Sequence, residues 1–420
     1  MTDLMIRILA ELGIRHYRIL ESRRRSAELF FVRRRLDMRR MTDVHEYNVT
    51  VIVDLDGTRG EATASLTSTM SEKELRSALL IAREAARSAQ NPFYELAEPI
   101  KAETKHAETN LRGLSLAEAA TAAAEALFAA DTAEESFLNS TEIFAVETTV
   151  SLLTSCGTDV SWDSYELSGE FVAQCKSASA DVETYHSFSY RSLETEELTR
   201  LARQALSRVS DRAIATPTLE SGTYDVILSD EHVRTVLSYY VERADAQMIH
   251  PGYSTFKVGE SVQPEGEGER LSLTLRAVAP YSAEGIEMID RPLVRNGSLE
   301  TVHGSLPLCR YLGVTPTGAY RSFSSENGSV PFSEMLKGTA LWVVAFSDFQ
   351  MDEFSGHFAG EIRLAYLIRD GKMTPVTGGS INGSILDLGG RLAFSTERYE
   401  SLSYSGPRAV RIPDVPVAGV

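Results

Sequence analysis

The residues best suited to chemistry fall in one short acidic run: Asp348, Asp352, Glu353 and His357. Carboxylates and imidazole are the usual ligands of zinc and other divalent cations. Glu353 and His357 would share a face if the segment were helical. Gly356 and the strand pattern beginning at Glu361 point to a loop instead. An acidic surface loop is the favoured reading, and Glu353 and His357 stand as weak metal candidates. The eight histidines, at 16, 45, 106, 186, 232, 250, 303 and 357, include no two closer than 18 residues. No pair therefore has the helical-turn spacing of a zinc hydrolase. His45 precedes Glu46, but Val49 and Thr50 stand where a second histidine would be, so the two read as a surface pair. Cys309, in Leu308-Cys309-Arg310-Tyr311, is open to reading as a thiol nucleophile; no histidine is assigned to it, and a buried structural cysteine is the favoured reading. GxSxG, GxxxxGK[ST] and GxGxxG after a strand are absent. Gly378-Gly379-Ser380-Ile381-Asn382-Gly383 has the wrong spacing for a nucleophile elbow and reads as a turn. The residues by themselves assign no catalytic, cofactor-binding or metal-binding side chain.

The elements around these residues change character along the chain. Glu28 to Val32, Asn48 to Val53 and Ala62 to Thr69 read as antiparallel strands, with Asp56-Gly57 as a hairpin turn. Ser71 with Glu74 forms a capping box opening a helix that buries Leu75, Ala78, Leu79, Ala82 and Ala86 and stops at Asn91-Pro92. A second box, Ser115 with Glu118, opens the alanine-rich helix Leu116 to Ala130. Strand-like segments follow from Glu142 to about Tyr190, with Gly157 and Gly169 as breaks. A third helix begins near Thr195. Its apolar positions Leu198, Leu201, Ala202, Ala205 and Val209 lie 123 residues after those of the first helix. Two amphipathic helices can share such spacing by chance, but the repeated strands-then-helix order favours an internal duplication. After Thr216-Pro217 there is one helical pattern, Glu231 to about Ala246. The rest is short strands, with hairpin signals at Asn296-Gly297 and Asp370-Gly371, suggesting a closed or strongly curled antiparallel sheet. The expected fold class is α+β: an N-terminal α+β domain (1–217) with an internal duplication of antiparallel strands plus helices, and a mainly antiparallel β domain (218–420).

Composition sets outer bounds. The 420 residues are 43% hydrophobic and 24% charged, a globular balance with room for two or three domains. Three cysteines, 156, 175 and 309, fit neither a disulfide framework nor paired zinc knuckles, which suggests a reducing, cytoplasmic location. No stretch is long and apolar enough to span a membrane, and Met1 to Leu12 does not read as a signal peptide. The net charge of −17 argues against nucleic-acid binding. Residues 1 to 40 depart from it, with eleven arginines against five acids. Arg23-Arg24-Arg25 has no interleaved stacking residues and reads as solvated surface.

Several short motifs, in order, resemble the TldD/PmbA family, described as modulators of DNA gyrase and as peptide-processing metalloproteases. They are Gly57-Thr58-Arg59-Gly60-Glu61-Ala62-Thr63-Ala64-Ser65, the Ser71 helix and Asn91-Pro92, then Gly222-Thr223-Tyr224-Asp225-Val226-Ile227-Leu228 and Gly252-Tyr253-Ser254-Thr255-Phe256. Tyr311-Leu312-Gly313-Val314-Thr315-Pro316-Thr317-Gly318 follows, then Phe354-Ser355-Gly356, Tyr366-Leu367-Ile368-Arg369-Asp370-Gly371 and Gly379-Ser380-Ile381-Asn382-Gly383. The resemblance implies a duplicated α+β domain followed by a β-rich one. It also implies, for catalytic members, an HExxxH helix after the strand matching Tyr224 to Leu228 and a zinc-binding cysteine near the C-terminus. Here that helix begins Glu231-His232-Val233-Arg234-Thr235. His232 has no histidine four or five residues on, and no cysteine follows Cys309. The chain is similar instead to the TldE/PmbA branch lacking HExxxH.

The resemblance implies a non-catalytic, cytoplasmic subunit of a zinc metalloprotease complex acting on unfolded peptides, in proteolysis or peptide maturation. No cofactor is expected in this chain; zinc is expected only in an HExxxH-bearing TldD-like partner. The chain is expected to form a homodimer alone and to bind neither nucleic acid nor membrane. Two alternatives stay open: a self-sufficient peptidase with an unconventional site such as Glu353 and His357, or a peptide-binding scaffold. Gyrase modulation draws no support from charge or motif.

Overall fold

The computed structural model describes residues 1–89 and 91–420. Its first half is one continuous sheet with helices on a single face. Helix α1 (Thr2–Glu11) leads into β1 (His16–Val32), β2 (Arg35–Leu55) and β3 (Thr58–Thr67), then α2 (Glu72–Ser88) and the short β4 (Asn91–Pro92). After a long connection the order recurs as α3 (Leu116–Phe128), β5 (Ser136–Thr154), β6 (Asp159–Lys176), β7 (Asp181–Tyr190) and α4 (Thr195–Ile214). The strands form one sheet in the order β4-β3-β2-β1-β5-β6-β7, with β1 and β5 antiparallel at its centre. Adding 123 to the limits of β3 gives those of β7, so the internal repeat holds in three dimensions as well as in helix spacing.

Local chemistry explains these elements. Asp56 and Gly57 take φ of 40° and 81°, the left-handed pair that a two-residue hairpin needs. Both capping boxes form: Ser71 with Glu74 and Ser115 with Glu118 exchange side-chain and backbone hydrogen bonds. Each repeat buries its own core. Met5, Ile8, Leu75 and Leu79 pack on Ile19, Val49 and Val51 in the first. Ala120, Leu127, Leu198 and Ala202 pack on Ile143, Leu167 and Phe171 in the second. Burying each such leucine contributes about 2 kcal/mol.

The second half starts with β8 (Gly222–Ser229) and turns directly into α5 (Glu231–Arg243), followed by α6 (Ala246–Ile249). Next come β9 (Leu273–Arg276), β10 (Arg291–Arg295), β11 (Ser298–Leu299), α7 (Leu306–Leu312), β12 (Ser322–Ser325) and α8 (Phe332–Met335). The chain ends with β13 (Ala340–Met351), β14 (His357–Arg369), β15 (Lys372–Val376), β16 (Ser380–Ser384), α9 (Ile385–Leu388), β17 (Ala393–Phe394), β18 (Arg398–Glu400), β19 (Tyr404–Pro407) and β20 (Ala409–Ala418). Strands β13-β8-β20-β16-β14 pair in series, and β14 pairs back to β13, so this sheet closes on itself as the strand pattern suggested. The β8–β13 pairing is parallel, as is β12–β19 in the neighbouring six-stranded sheet, so the half is antiparallel only in the main.

Four details differ from the sequence reading. The first strands are much longer than expected, because the charged residues that blur their alternation, Arg23 to Arg25 and Arg33 to Arg40, lie within β1 and β2 or at their turn. Gly169 does not break a strand but sits inside β6, where an added Cβ would meet the Glu142 carbonyl at 2.4 Å and the Phe188 ring at 2.7 Å. Helix α1 was not anticipated. Nor was α7, which makes Glu231 to Ala246 only the longest of several helices in the second half. Among the described residues no helix is long and apolar enough to cross a membrane.

Candidate functional site

With α1 to α4 on one face of the seven-stranded sheet, the other face is left to the second half of the chain. At one end Leu152, Val160 and Trp162 pack against Tyr281. Beyond that contact the halves separate into a continuous cleft, walled by the sheet on one side and by residues 397–405 on the other. Three adjoining cavities of about 530, 580 and 400 Å³ make up the cleft. The sheet contributes Thr148, Ser164 and Glu166 to the second and Ser168, Glu170 and Ser187 to the third. β7 is the last strand of its sheet. Only Leu402 of the opposite wall bonds its edge here, its N–H reaching the Ser189 carbonyl at 2.8 Å. An edge strand bordered by hydroxyls suits an extended peptide backbone.

The start of α5 reaches the same cleft. β8 becomes α5 through one residue, Asp230, at φ 59° and ψ −128°, a conformation an L-residue keeps only when its surroundings hold it. Two arginines do so: Arg408 Nε lies 3.3 Å from Asp230 Oδ1, and Arg208 Nη2, from α4 in the other half, 3.4 Å from Oδ2. Burial pushes the Arg208 guanidinium down, and the Asp230 charge opposes that shift. Glu231 accepts a hydrogen bond from the Tyr399 hydroxyl at 3.0 Å, and burial followed by the Glu231 charge pushes the Tyr399 phenol far up. Tyr366 of the closed sheet donates to Asp211 of α4 at 2.5 Å, a second tie between the halves. Sequence reasoning missed Asp230, Arg208 and Tyr399. Asp at a strand-to-helix junction was the one visible signal, and it does not reveal a positive φ.

The residues singled out by sequence do not converge. His232 packs edge-on against Phe346 and Phe349, with ring centroids at 4.9 and 5.5 Å, and burial lowers its pKa to about 4. Cys309 lies fully buried in α7, its thiol pushed up to about 11 by burial. His45 pairs across strands with Glu21 at 2.8 Å rather than with Glu46. Asp348 is not in a loop but on β13, accepting from Gln350 at 2.6 Å. The loop is confined to the five residues between β13 and β14, where Asp352 accepts the N–H of Phe354 and the Ser355 hydroxyl, both at 2.8 Å. Exposed His357 starts β14, its Nδ1 3.3 Å from the Gly383 carbonyl. Glu353 instead comes within reach of Glu242. Desolvation first, then the charges of Asp245 and Glu353, push the Glu242 carboxyl up.

Zinc, implied by the family resemblance for catalytic members, can be tested against the donors present. The polar side of α5 consists of Glu231, Arg234, Thr235, Ser238 and Glu242, a row with one cation, two hydroxyls and no histidine. Among the described residues, no three His, Cys, Asp or Glu side chains are grouped to hold a metal ion. These donors do not fit a zinc ion on α5.

Comparison with known proteins follows the same lines. Residues 221–420 match the family model described as the PmbA/TldA metallopeptidase C-terminal domain. A metalloprotease of Methanothermobacter thermautotrophicus is 25% identical over 215 residues, covering 46% of this chain and 47% of that protein, about half its length. TldE from Thermococcus kodakarensis superposes with a TM-score of 0.83 over 100% of this chain and 99% of that one, at 16% identity. A proposed modulator of DNA gyrase from Thermotoga maritima gives 0.79, at 19% identity over 99% and 100%. Its counterpart from Bacteroides thetaiotaomicron gives 0.79, at 19% identity over 100% and 99%. At these identities the superpositions establish the shared fold.

Proposed function

Since the chain belongs to the TldD/PmbA family, a metallopeptidase-related one, we propose that it is a non-catalytic, TldE-like subunit that pairs with a zinc-bearing homologue and helps that homologue cleave unfolded peptides in the cytoplasm. The observation that carries this reading is the polar side of α5. Where the resemblance implies an HExxxH helix in catalytic members, the polar side of this helix carries Glu231, Arg234, Thr235, Ser238 and Glu242 and no histidine pair. The cleft has a strand edge, tied to the opposite wall at Ser189, and hydroxyl-bearing walls, so a peptide can be held without chemistry being done on it. The exposed stretch of β2 supports this reading as the contact for the second subunit. Leu36, Met38, Met41 and Val44 are exposed along β2, interleaved with Arg35, Arg39 and Arg40, a mixture common in subunit contacts.

Metal analysis after mild purification tests the division of labour. The chain alone should carry no stoichiometric zinc, and a co-expressed HExxxH-bearing homologue should bring about one zinc per pair. One zinc per chain in the protein alone would favour the self-sufficient peptidase instead.

A further inference from the structure

Most arginines around the cleft have carboxylate partners. Arg200 is bidentate on Glu197, Arg398 lies 3.6 Å from Glu400, Arg112 2.6 Å from Asp163 and Arg408 3.3 Å from Asp230. Arg24 and Arg191 differ. Both line the cavity of about 580 Å³; the Arg191 carbonyl accepts the Thr109 hydroxyl at 2.6 Å, but among the described residues neither guanidinium has a hydrogen bond or ion pair with a protein group. Arg191 also borders the adjoining cavity of about 530 Å³, which Arg276 lines too; the charges acting on Arg191 are those of Arg276 and, opposing it, Asp290. Arg276 itself lies 3.8 Å from Asp290. Desolvation by the cleft walls, then the Arg276 charge, push the Arg191 guanidinium down, the mark of a cation crowded by protein and by a like charge.

The carboxylates in the same cavity leave little to neutralise these cations. Asp163 is taken up by Arg112, His106 and the Ala107 N–H. Glu166 accepts from Ser189 at 3.2 Å, and Glu108 is the remaining acid of the lining. The same lining includes an apolar set, Val146, Val278, Met288 and Leu402. In a chain with 59 acids and 42 bases, guanidinium groups left without carboxylates in a concave, partly apolar site are placed to receive an anion from outside.

We propose that Arg24 and Arg191 form a carboxylate-recognition subsite that selects, among extended peptides, segments with an acidic side chain next to an apolar one. The carboxylate lies between the guanidinium groups, and the neighbouring side chain rests on Val146, Val278 and Leu402. This rests on the peptide-binding reading above, and it adds a preference that the reading does not contain. The source of the anion is the peptide, not a free oxyanion, because the apolar wall beside the arginines would go uncovered by phosphate alone.

Fluorescence anisotropy on the full chain tests it, with three labelled unstructured peptides identical except for a central Leu-Glu, Leu-Gln or Leu-Lys, at about 150 mM salt. The Leu-Glu peptide should bind about tenfold more tightly than Leu-Gln, with Leu-Lys weakest. In R24Q/R191Q the preference should shrink to about twofold or less, while R24K/R191K keeps part of it because charge remains without the bidentate fork. The thermal midpoint of each variant, compared with the parent, separates loss of recognition from loss of fold. Three peptides binding the parent equally would overturn the subsite and leave the peptide-binding reading standing. An unchanged preference in correctly folded R24Q/R191Q would do the same. Binding of no peptide at all would overturn both. Inorganic phosphate displacing the Leu-Glu peptide at equal ionic strength and comparable concentration would assign the arginines to small oxyanions and also overturn the proposal.

Discussion

Asp230 is held at φ 59° because β8 passes into α5 without a loop, and its carboxylate is the meeting point of Arg408 and Arg208. Removing that carboxylate leaves Arg208, whose side chain is 13% exposed, as a buried cation without an acid. Asp230→Ala should therefore lower stability by about 3 kcal/mol. Arg208→Met added to it should restore part of the loss, since the stranded charge goes too. Urea titrations of the two single variants and the double variant read this coupling, and strictly additive effects would contradict it. His232 gives a second residue-scale expectation. Burial holds its pKa at about 4 against an unfolded value of about 6.5, so the unfolded chain binds a proton the folded chain refuses, and stability falls as pH drops through that window. Between pH 7 and 5 the loss should be smaller by about 2 kcal/mol in His232→Phe, which keeps the edge-on ring contacts. An unchanged pH profile would mean the imidazole titrates as an exposed one. Neither residue announced these roles in sequence: a backbone angle and a ring pocket are made by distant partners, Arg408 and Phe346 among them.

At the scale of elements, what was legible had a local cause. The Ser71 and Ser115 capping boxes, the Asp56-Gly57 and Asp370-Gly371 turns and the apolar faces of α2 and α4 each encode their structure within a few residues. The lengths of β1 and β2 do not. Arg23 and Arg25 stay in a strand because Asp43 and Glu147 on neighbouring strands meet them. The linker is a related case. Sequence composition at Thr216-Pro217 suggests an exposed joint near residues 213–222, and most of that stretch is exposed, with Leu219 buried and its carbonyl accepting the Val420 N–H at 3.0 Å. The connection from Phe93 to Thr109 is longer and also largely exposed, and unlike residues 213–222 it contains lysines, Lys101 and Lys105, at isolated bridges to β6. Limited trypsin should thus cut first at Lys101 or Lys105, leaving the 213–222 linker intact. Mass spectrometry of early fragments decides this, and first cleavage at Arg212 would contradict it.

For the whole molecule, the two halves are tied by polar groups that each contributes to the other: Arg208 to Asp230, Asp211 to Tyr366, Ser189 to Leu402. That arrangement keeps a cleft open between a sheet face and the 397–405 segment, while α5 carries a single histidine, His232, packed on phenylalanines. The candidate site was legible in sequence only as an absence of paired histidines. The cleft, assembled from residues as distant as Arg24 and Leu402, emerges only with the fold. The most direct measurement is hydrolysis of an unfolded peptide by this chain, by a co-purified HExxxH-bearing homologue, and by their mixture, with complex mass followed by light scattering. The chain alone should run as a homodimer without activity, and the mixture should form a heterodimer whose activity disappears when the homologue's motif glutamate is replaced. Hydrolysis by this chain alone, or a chain that stays monomeric and never associates with the homologue, would contradict the non-catalytic subunit reading.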